Sequence, residues 1–480
     1  MIQFLLNQTL VTETSLDPNT TVLSWLRQHK RRCGTKEGCA SGDCGACTVT
    51  VGRVEAGRMV YETVNSCIAF VSSLQGKQLI TVEDLRQEGE LHEVQKALVA
   101  CHASQCGFCT PGFAMSLFTL QKNSAGWQRH EAEQALAGNL CRCTGYRPIV
   151  DAARQACEQR QPDAFTRQEA QTIKRLAALQ HGEEQAMALN GNRCLLPKNL
   201  DSLAELTMRY PEAKLLAGGT DLALQVTQRH QTLPLVIALD GVEELKACGI
   251  EAEAIELGAG ASLQSCQRFL QPHLPVFARM LARFASLQIR NRGTLGGNIA
   301  NGSPIGDTPP MLLALGASLK LRRGTQTRQL PLEAFFLGYR QTALQPGEFI
   351  QSIVIPKVTA SQTFHAWKVS KRLEDDISAV FGAFLLERDA GGEITTARIA
   401  FGGMAATPKR ATHCERALSG KVLTQQTLEQ ACRALEQDFT PLSDFRASAP
   451  YRLQVAKNLL RRWHASLNNE LNLLEVTDYV

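Results

Sequence analysis

The chain has 480 residues, 44% of them hydrophobic and 20% charged, a globular composition long enough for about three or four domains. Lysine and arginine number 51 against 46 acidic residues, and the small, dispersed surplus of +5 excludes a strong electrostatic case for nucleic acid binding. No stretch reaches the roughly 20 apolar residues of a membrane span. The start, MIQFLLNQTLV, has no basic flank and is broken by Gln3 and Asn7, so neither a signal peptide nor an anchor is expected and the protein is expected in the cytoplasm.

Residues 1–85 read as a small mixed domain. Ile2, Phe4 and Leu6 alternate as in a strand, and Val22, Leu23 and Leu26 suit a short helix. A Gly/Cys-rich loop spans 33–47, strands are expected over 48–51 and 61–64, and Ile80-Thr81-Val82 closes the unit. Residues 86–160 read as four helices, marked by Leu91/Val94/Leu98, Phe113/Leu117/Leu120, Ala132/Ala135/Leu136 and Ile149/Ala152/Ala153/Ala156. Residues 161–192 are polar and Gln-rich, and a linker with some helix is expected. From 193 to 360, strand-like runs such as 236–239 and 255–257 alternate with helices and Gly-rich turns. Residues 361–480 give strands first (379–386 and 396–401), then helices (426–437 and 450–464), the order of an α+β cap. There is no internal repeat.

Cysteine carries the chemistry. Of 16 cysteines, ten lie between Cys33 and Cys143. A long chain without an export signal uses such clusters for metal or redox chemistry more often than for disulfides. Cys39, Cys44 and Cys47, followed by Cys67, have the spacing of plant-type [2Fe–2S] ferredoxins. The intervening residues Ala40, Ser41, Gly42, Asp43, Gly45 and Ala46 are small enough for backbone N–H groups to approach cluster sulfurs. A structural zinc site with four thiolates is the alternative, although zinc loops more often pair two C-x2-C units, and Cys33 is a rival ligand. A second set, Cys106/Cys109 and Cys141/Cys143, falls just before the second and fourth helices, where helix N-terminal amides favour an anionic group. Zinc stays open there too. Cys101, Cys157, Cys194, Cys248, Cys266, Cys414 and Cys432 are scattered and read as ordinary thiols.

No G-x-G-x-x-G follows a strand and no Walker A loop occurs, so a Rossmann dinucleotide site is unsupported. Two other turns stand out: Lys214-Leu215-Leu216-Ala217-Gly218-Gly219-Thr220-Asp221 and Arg292-Gly293-Thr294-Leu295-Gly296-Gly297-Asn298. Such turns present bare N–H groups to a pyrophosphate, or are simply turns.

Three cysteine segments carry a resemblance to a known family. Cys33-Gly34-Thr35-Lys36-Glu37-Gly38-Cys39 running on to Cys44-Gly45-Ala46-Cys47-Thr48-Val49 resembles the first cluster loop of the xanthine dehydrogenase family. Gln105-Cys106-Gly107-Phe108-Cys109-Thr110-Pro111-Gly112 resembles its second loop, and Gly138-Asn139-Leu140-Cys141-Arg142-Cys143-Thr144-Gly145-Tyr146 its closing motif. The resemblance implies a multidomain α+β chain: a ferredoxin-like β-grasp [2Fe–2S] domain (1–85), a four-helix-bundle [2Fe–2S] domain (86–160), a linker (161–192), a vanillyl-alcohol-oxidase-type FAD domain (193–360) and a C-terminal α+β cap (361–480). It assigns both cysteine sets to [2Fe–2S] clusters. It also makes the two Gly-rich turns pyrophosphate-binding segments, with Lys214, Leu215, Leu216, Ala217, Gly218, Gly219, Thr220, Asp221, Thr294, Gly296, Gly297 and Asn298 as FAD contacts. Asp307, Phe284, Ile350 and Lys368 fall at further FAD contacts, against plain core packing for Phe284 and Ile350 and a solvated charge for Lys368. The charged stretch 371–377 resembles a mobile loop near the flavin, and is equally read as a solvated loop. Asp221 stands where the family often has Glu.

The implied role is an electron relay with no catalytic acid or base on this chain. Electrons would pass from molybdopterin-bound molybdenum on a partner subunit to the Cys106/Cys109/Cys141/Cys143 cluster, bordered by Gln105, then to the Cys39/Cys44/Cys47/Cys67 cluster, FAD and NAD+. Because the chain stops at Val480, a separate small subunit of a bacterial enzyme in an (αβ)2 heterotetramer is expected. The alternatives are a subunit of another molybdenum hydroxylase, acting on aldehydes or N-heterocycles, or a zinc-stabilised non-enzyme with a degenerate flavin fold.

Overall fold

The computed structural model describes residues 1–87, 89–180 and 185–467. Part of the expected linker (181–184) and the end of the expected cap (468–480) therefore lie outside the described residues. The chain forms two compact units. The first joins Met1–Leu206, Glu212–Val242 and Ala285–Gly293; the second joins Thr207–Pro211, Glu243–Phe284 and the chain from Thr294 on.

The first unit opens with a five-stranded mixed sheet. Its spatial order is Thr9–Glu13, Ile2–Leu6, Gln78–Ile80, Thr48–Glu55, Arg58–Asn65. Ile2–Leu6 pairs in parallel with Gln78–Ile80, and the other neighbours are antiparallel. Alternation along Ile2–Leu6 sends Ile2, Phe4 and Leu6 to one face, where Phe4 meets Trp25 edge-on with centroids 5.2 Å apart. Leu5 points the other way, into a second core built with the helices that follow. The sheet is thus covered on both faces.

Those helices are Glu93–Ala100, Thr110–Asn123, Arg129–Leu136 and Arg147–Glu158, the four expected. Thr110–Asn123 is buried nearly all round, from Gly112 to Gln121, because it lies between the sheet and its sister helices, and Thr50 and Thr119 hydroxyls meet there at 2.7 Å. Residues 161–192, expected as a linker, hold the helices Ala164–Arg167 and Glu169–Gln180 and the strands Gln185–Leu189 and, from Asn192, Asn192–Leu196. Phe165 and Leu176 are buried in the same core as the four helices, flanked by Ile173 and Leu179. The spacing of Ile173, Leu176 and Leu179 supplies one narrow apolar stripe, which glutamine-rich composition conceals. A four-stranded sheet completes the unit in the order Gln185–Leu189, Asn192–Leu196, Leu235–Ala238, Lys214–Leu216.

The second unit contains a five-stranded antiparallel sheet ordered Cys248–Ile250, Ala254–Gly258, Phe349–Pro356, Ser318–Arg323, Gln326–Pro331. Leu257, Leu319 and Ile353 from this sheet pack with Leu270, Phe277 and Met311 from helices Leu263–Leu270, Pro275–Ala282 and Thr308–Ala314. A second sheet follows, Gln362–Val369, Val380–Arg388, Ile394–Gly402, Lys409–Arg410, with helices Thr412–Leu418, Gln425–Asp438 and Ala449–Leu467. Phe384 stacks on Trp463 with centroids 5.5 Å apart, fixing the last helix on that sheet. The strands-then-helices order is the one expected of the cap. Among the described residues no helix is long and apolar enough to cross a membrane.

Candidate metal and flavin centres

The first cysteine loop is wound by residues in the left-handed region: Ala40 (φ +52°), Gly42 (+86°) and Gly45 (+66°). This winding turns amides inward, and the N–H groups of Ser41 and Asp43 donate to Cys39 Sγ at 3.4 and 3.3 Å. Cys39 interacts directly with the thiols of Cys44 and Cys67, and Cys67 with that of Cys47. Proton sharing within this string, joined by the Ser41 bonds, pulls Cys39 well below the ordinary thiol range. The same sharing, together with burial, pushes Cys44 and Cys67 above it. Cys67 comes from beyond the second long strand, twenty residues after Cys47, so the hairpin 48–65 is what returns it to the loop. Cys33 is exposed, its carbonyl held by Arg27 and Lys36.

In the second set Cys109 caps helix Thr110–Asn123 and Cys141/Cys143 lead into Arg147–Glu158. Cys109 meets Cys141 and Cys106 meets Cys143. Burial and the Cys141 thiol push Cys109 up to about 12. Burial would raise Cys141 as well, but the Thr144 hydroxyl at 3.1 Å and the N–H groups of Thr144 and Cys143, each at 3.4 Å, outweigh it and hold this thiol low. Cys106 and Cys143 are exposed.

These donor sets fit [2Fe–2S] clusters. Four soft thiolates per site, with N–H groups aimed at sulfur, are the chemistry such a cluster needs. The thiols meet as a string in one set and as two pairs in the other. Among the described residues no three His, Cys, Asp or Glu side chains are arranged for a single metal ion.

The two loops touch. Leu140, one residue before Cys141, donates its N–H to the Cys44 carbonyl at 2.9 Å. Asn139 donates to the Gly45 carbonyl at 3.0 Å and accepts from Ser116 (2.7 Å) and Gln288 (3.0 Å). A Cβ on Gly45 would lie 2.2 Å from the Gly138 carbonyl, so only glycine allows this approach. The pairing of Asn139, which lies within the closing motif, with Gln288 carries no signal in sequence, because neither is a ligand and they are 149 residues apart.

The flavin candidates divide between the units. In the first, strand Lys214–Leu216 pairs in parallel with Leu235–Ala238 and runs into the Ala217–Gly219 turn, which is followed by Thr220 and an exposed Asp221. A Cβ on Gly218 would fall 1.8 Å from the Arg292 carbonyl, and Arg292 is itself held by Asp240 at 3.0 Å. In the second unit, Thr294 caps Leu295–Ala300 by accepting from Gly297 at 3.1 Å, and Asn298 accepts from Thr308 at 2.5 Å. Asp307 and Lys368 come together as a buried ion pair at 2.8 Å. Ser378 donates to the other Asp307 oxygen at 2.6 Å, and Lys368 also donates to the Arg283 carbonyl at 3.1 Å. Lys368 is therefore no solvated charge. Ser378, 71 residues from Asp307, was invisible in the sequence. Ile350 is buried in the core of this unit and Phe284 packs against it. In the 371–377 stretch, Lys371 donates to the Phe445 carbonyl at 2.8 Å and Asp376 accepts from the Arg372 N–H at 2.9 Å.

Comparison with known proteins agrees with this architecture. Residues 5–72 match the "2Fe-2S iron-sulfur cluster binding domain", 81–154 the "[2Fe-2S] binding domain", 169–358 the "FAD binding domain in molybdopterin dehydrogenase" and 365–467 the "CO dehydrogenase flavoprotein C-terminal domain". The chain is 33% identical to the xanthine dehydrogenase of Emericella nidulans over 91% of its own length and 36% of the relative's. It thus spans little more than a third of that curated relative. Among solved structures, it resembles a carbon monoxide dehydrogenase chain from Hydrogenophaga pseudoflava (29% identity, TM-score 0.53, 56% of this chain and 94% of that one). It also resembles a chain of quinoline 2-oxidoreductase from Pseudomonas putida 86 (26%, TM-score 0.51, 56% and 93%). Four successive domain matches, on a fold with two thiol centres, place the chain in the molybdenum hydroxylase family, of which it carries the electron-transferring [2Fe–2S] and FAD part.

Proposed function

We propose that this chain is the iron–sulfur and FAD subunit of a bacterial-type xanthine dehydrogenase, carrying electrons from molybdopterin on a partner subunit to NAD+ during oxidation of hypoxanthine and xanthine to urate. Cys39, Cys44, Cys47 and Cys67 would hold one cluster and Cys106, Cys109, Cys141 and Cys143 the other. The segments 214–221 and 294–298, with Asp307, Phe284, Ile350 and Lys368, would serve FAD. When bound, the clusters supply one-electron steps and FAD the change to a hydride. The chain's own residues hold and tune: N–H donors aimed at Cys39 and Cys141 stabilise charge on sulfur, and the exposed Cys106 and Cys143 leave one edge of the second set open toward a partner.

The observation that carries this reading is the pair of thiol centres, joined by the Leu140–Cys44 hydrogen bond on the same chain as the flavin segments. A 33% identical xanthine dehydrogenase supports the substrate. The likeness to carbon monoxide dehydrogenase and quinoline 2-oxidoreductase supports a second reading, another molybdenum hydroxylase with a different substrate. We place the protein in the cytoplasm and in an (αβ)2 assembly, with domain bounds at 85 and 360.

Anaerobic visible spectroscopy of the purified chain, titrated with NADH while iron and flavin are counted, tests the relay. Two clusters' worth of iron and one FAD, bleaching on NADH addition, are expected. A colourless, zinc-containing chain that resists cluster reconstitution would refute it. Isolation with its partner, followed by assay on xanthine, an aldehyde and an N-heterocycle, separates the two substrate readings.

A further inference from the structure

Between Cys39 and Cys47, each residue in the left-handed region has its carbonyl held by a side-chain amide. These residues are Ala40, Gly42 and Gly45. Gln228 Nε2 donates to the Ala40 carbonyl at 3.0 Å and to the Cys39 carbonyl at 3.0 Å. Asn65 Nδ2 donates to the Gly42 carbonyl at 2.6 Å, and Asn139 Nδ2 to the Gly45 carbonyl at 3.0 Å. The three amides come from distant parts of the chain. Asn65 ends the strand Arg58–Asn65, Asn139 belongs to the closing motif, and Gln228 is the C-cap of the helix Ala223–Thr227. All lie in the first unit.

A trans peptide is planar, so its C=O and N–H point in opposite directions. The Ala40 carbonyl and the Ser41 N–H are the two ends of one such plane, and the Gly42 carbonyl and the Asp43 N–H are those of another. The inner ends are the N–H groups that donate to Cys39 Sγ at 3.4 and 3.3 Å. The outer ends are the carbonyls held by Gln228 and Asn65. Holding each carbonyl outward therefore holds its N–H inward, on the sulfur. Asn65 is buried, so the packed fold fixes the 42–43 plane. The 40–41 plane is held by an exposed side chain, and its left-handed residue is alanine rather than glycine, a strain of about 1–2 kcal/mol. It is the plane most readily turned when its outer bond is lost.

We propose that Gln228 is a positioning residue for the first [2Fe–2S] cluster: it holds the 40–41 peptide with its N–H toward the Cys39 sulfur and thereby raises the cluster's reduction potential. This rests on the assignment of Cys39, Cys44, Cys47 and Cys67 to that cluster. Reduction adds negative charge, and an N–H aimed at a ligand sulfur stabilises the reduced form more than the oxidised one. The hold comes from the candidate flavin side. The helix ending at Gln228 follows the segment 214–221, and a Cβ on Gly219 would lie 3.3 Å from the carbonyl of Ile68, the residue after Cys67. The first cluster is thus tuned from the segment next to which it would deliver electrons.

Redox titration of the full-length holoprotein, followed by electron paramagnetic resonance so that the two cluster signals are read separately, tests this. Gln228→Met keeps the length of the side chain and removes the donor. The first cluster is expected to become harder to reduce by about tenfold, about 59 mV for one electron, while the second cluster keeps its potential. Gln228→Lys restores an N–H donor and is expected to recover most of the shift at high salt, which screens its charge. A Gln228→Met chain with full iron content and an unchanged first-cluster potential overturns the proposal, even if its melting temperature falls, because the contact would then be structural alone. An equal shift of both clusters overturns it too, since that would be a general loosening. A wild-type chain that takes up no cluster on the Cys39 set refutes the cluster assignment itself, and the proposal with it.

Discussion

Asp307 and Lys368 show how much one pair of side chains determines. Both carboxylate oxygens of Asp307 are occupied, one by the Lys368 ammonium and one by the Ser378 hydroxyl, and the whole group is buried. Removing one member of such a pair leaves a buried charge without a counter-ion, at a cost of about 3–5 kcal/mol. Asp307→Ala is therefore expected to lower the melting temperature and the flavin content of the purified chain while iron stays constant. Unchanged flavin with a lowered melting temperature would make the pair a structural element alone. A thiol ligand behaves differently. Cys109→Ser should remove one of two cluster signals in electron paramagnetic resonance and stop substrate-driven NAD+ reduction in the complex, while NADH still reduces the flavin. Intact substrate-driven turnover would refute the relay order.

At the scale of elements, Asp163 ties the helix Ala164–Arg167 to the four-helix module. It caps that helix through the Thr166 N–H at 2.8 Å and accepts from His92 (3.0 Å) and Lys122 (2.6 Å). Burial alone would raise its pKa, but these hydrogen bonds and the Lys122 charge reverse the effect and hold the carboxyl far below the usual range. A folded pKa below the unfolded one, about 3.9, contributes stability that is present above that value and lost progressively as pH falls from it through the lower folded value. Acid unfolding of the wild type should accordingly steepen below about pH 5. Asp163→Asn should be less stable at neutral pH and less sensitive to acid, and parallel acid titrations of the two proteins would count against this account. The helix Glu169–Gln180 shows why sequence alone suggested a linker here: its apolar stripe is three residues among small and polar ones, and its burial comes from a surface provided by other elements.

For the molecule as a whole, the decisive feature is the seam between the two cysteine modules in the first unit. Asn139 holds the Gly45 carbonyl, the Ser116 hydroxyl and the Gln288 amide at once, and all are buried. Asn139→Ala would strand these groups, at roughly 1–3 kcal/mol for each polar group left unpaired. The urea midpoint for loss of cluster absorbance should fall, with ligand content unchanged in native buffer; an unchanged midpoint would mean that the modules are held by apolar packing alone.

Ligand type, ligand spacing and the small residues of the Cys39–Cys47 loop were legible in the amino-acid order, because a thiolate cage and a left-handed turn are local demands that few residues meet. So were the four helices of 86–160 and the strands-then-helices cap, whose apolar periodicity is strong. Contacts between distant residues were not. Ser378 on Asp307, Gln288 on Asn139, and the docking of Glu169–Gln180 were settled by tertiary structure. Each joins residues whose order along the chain carries no period, and a buried polar group takes whichever partner the packed fold brings within hydrogen-bond reach.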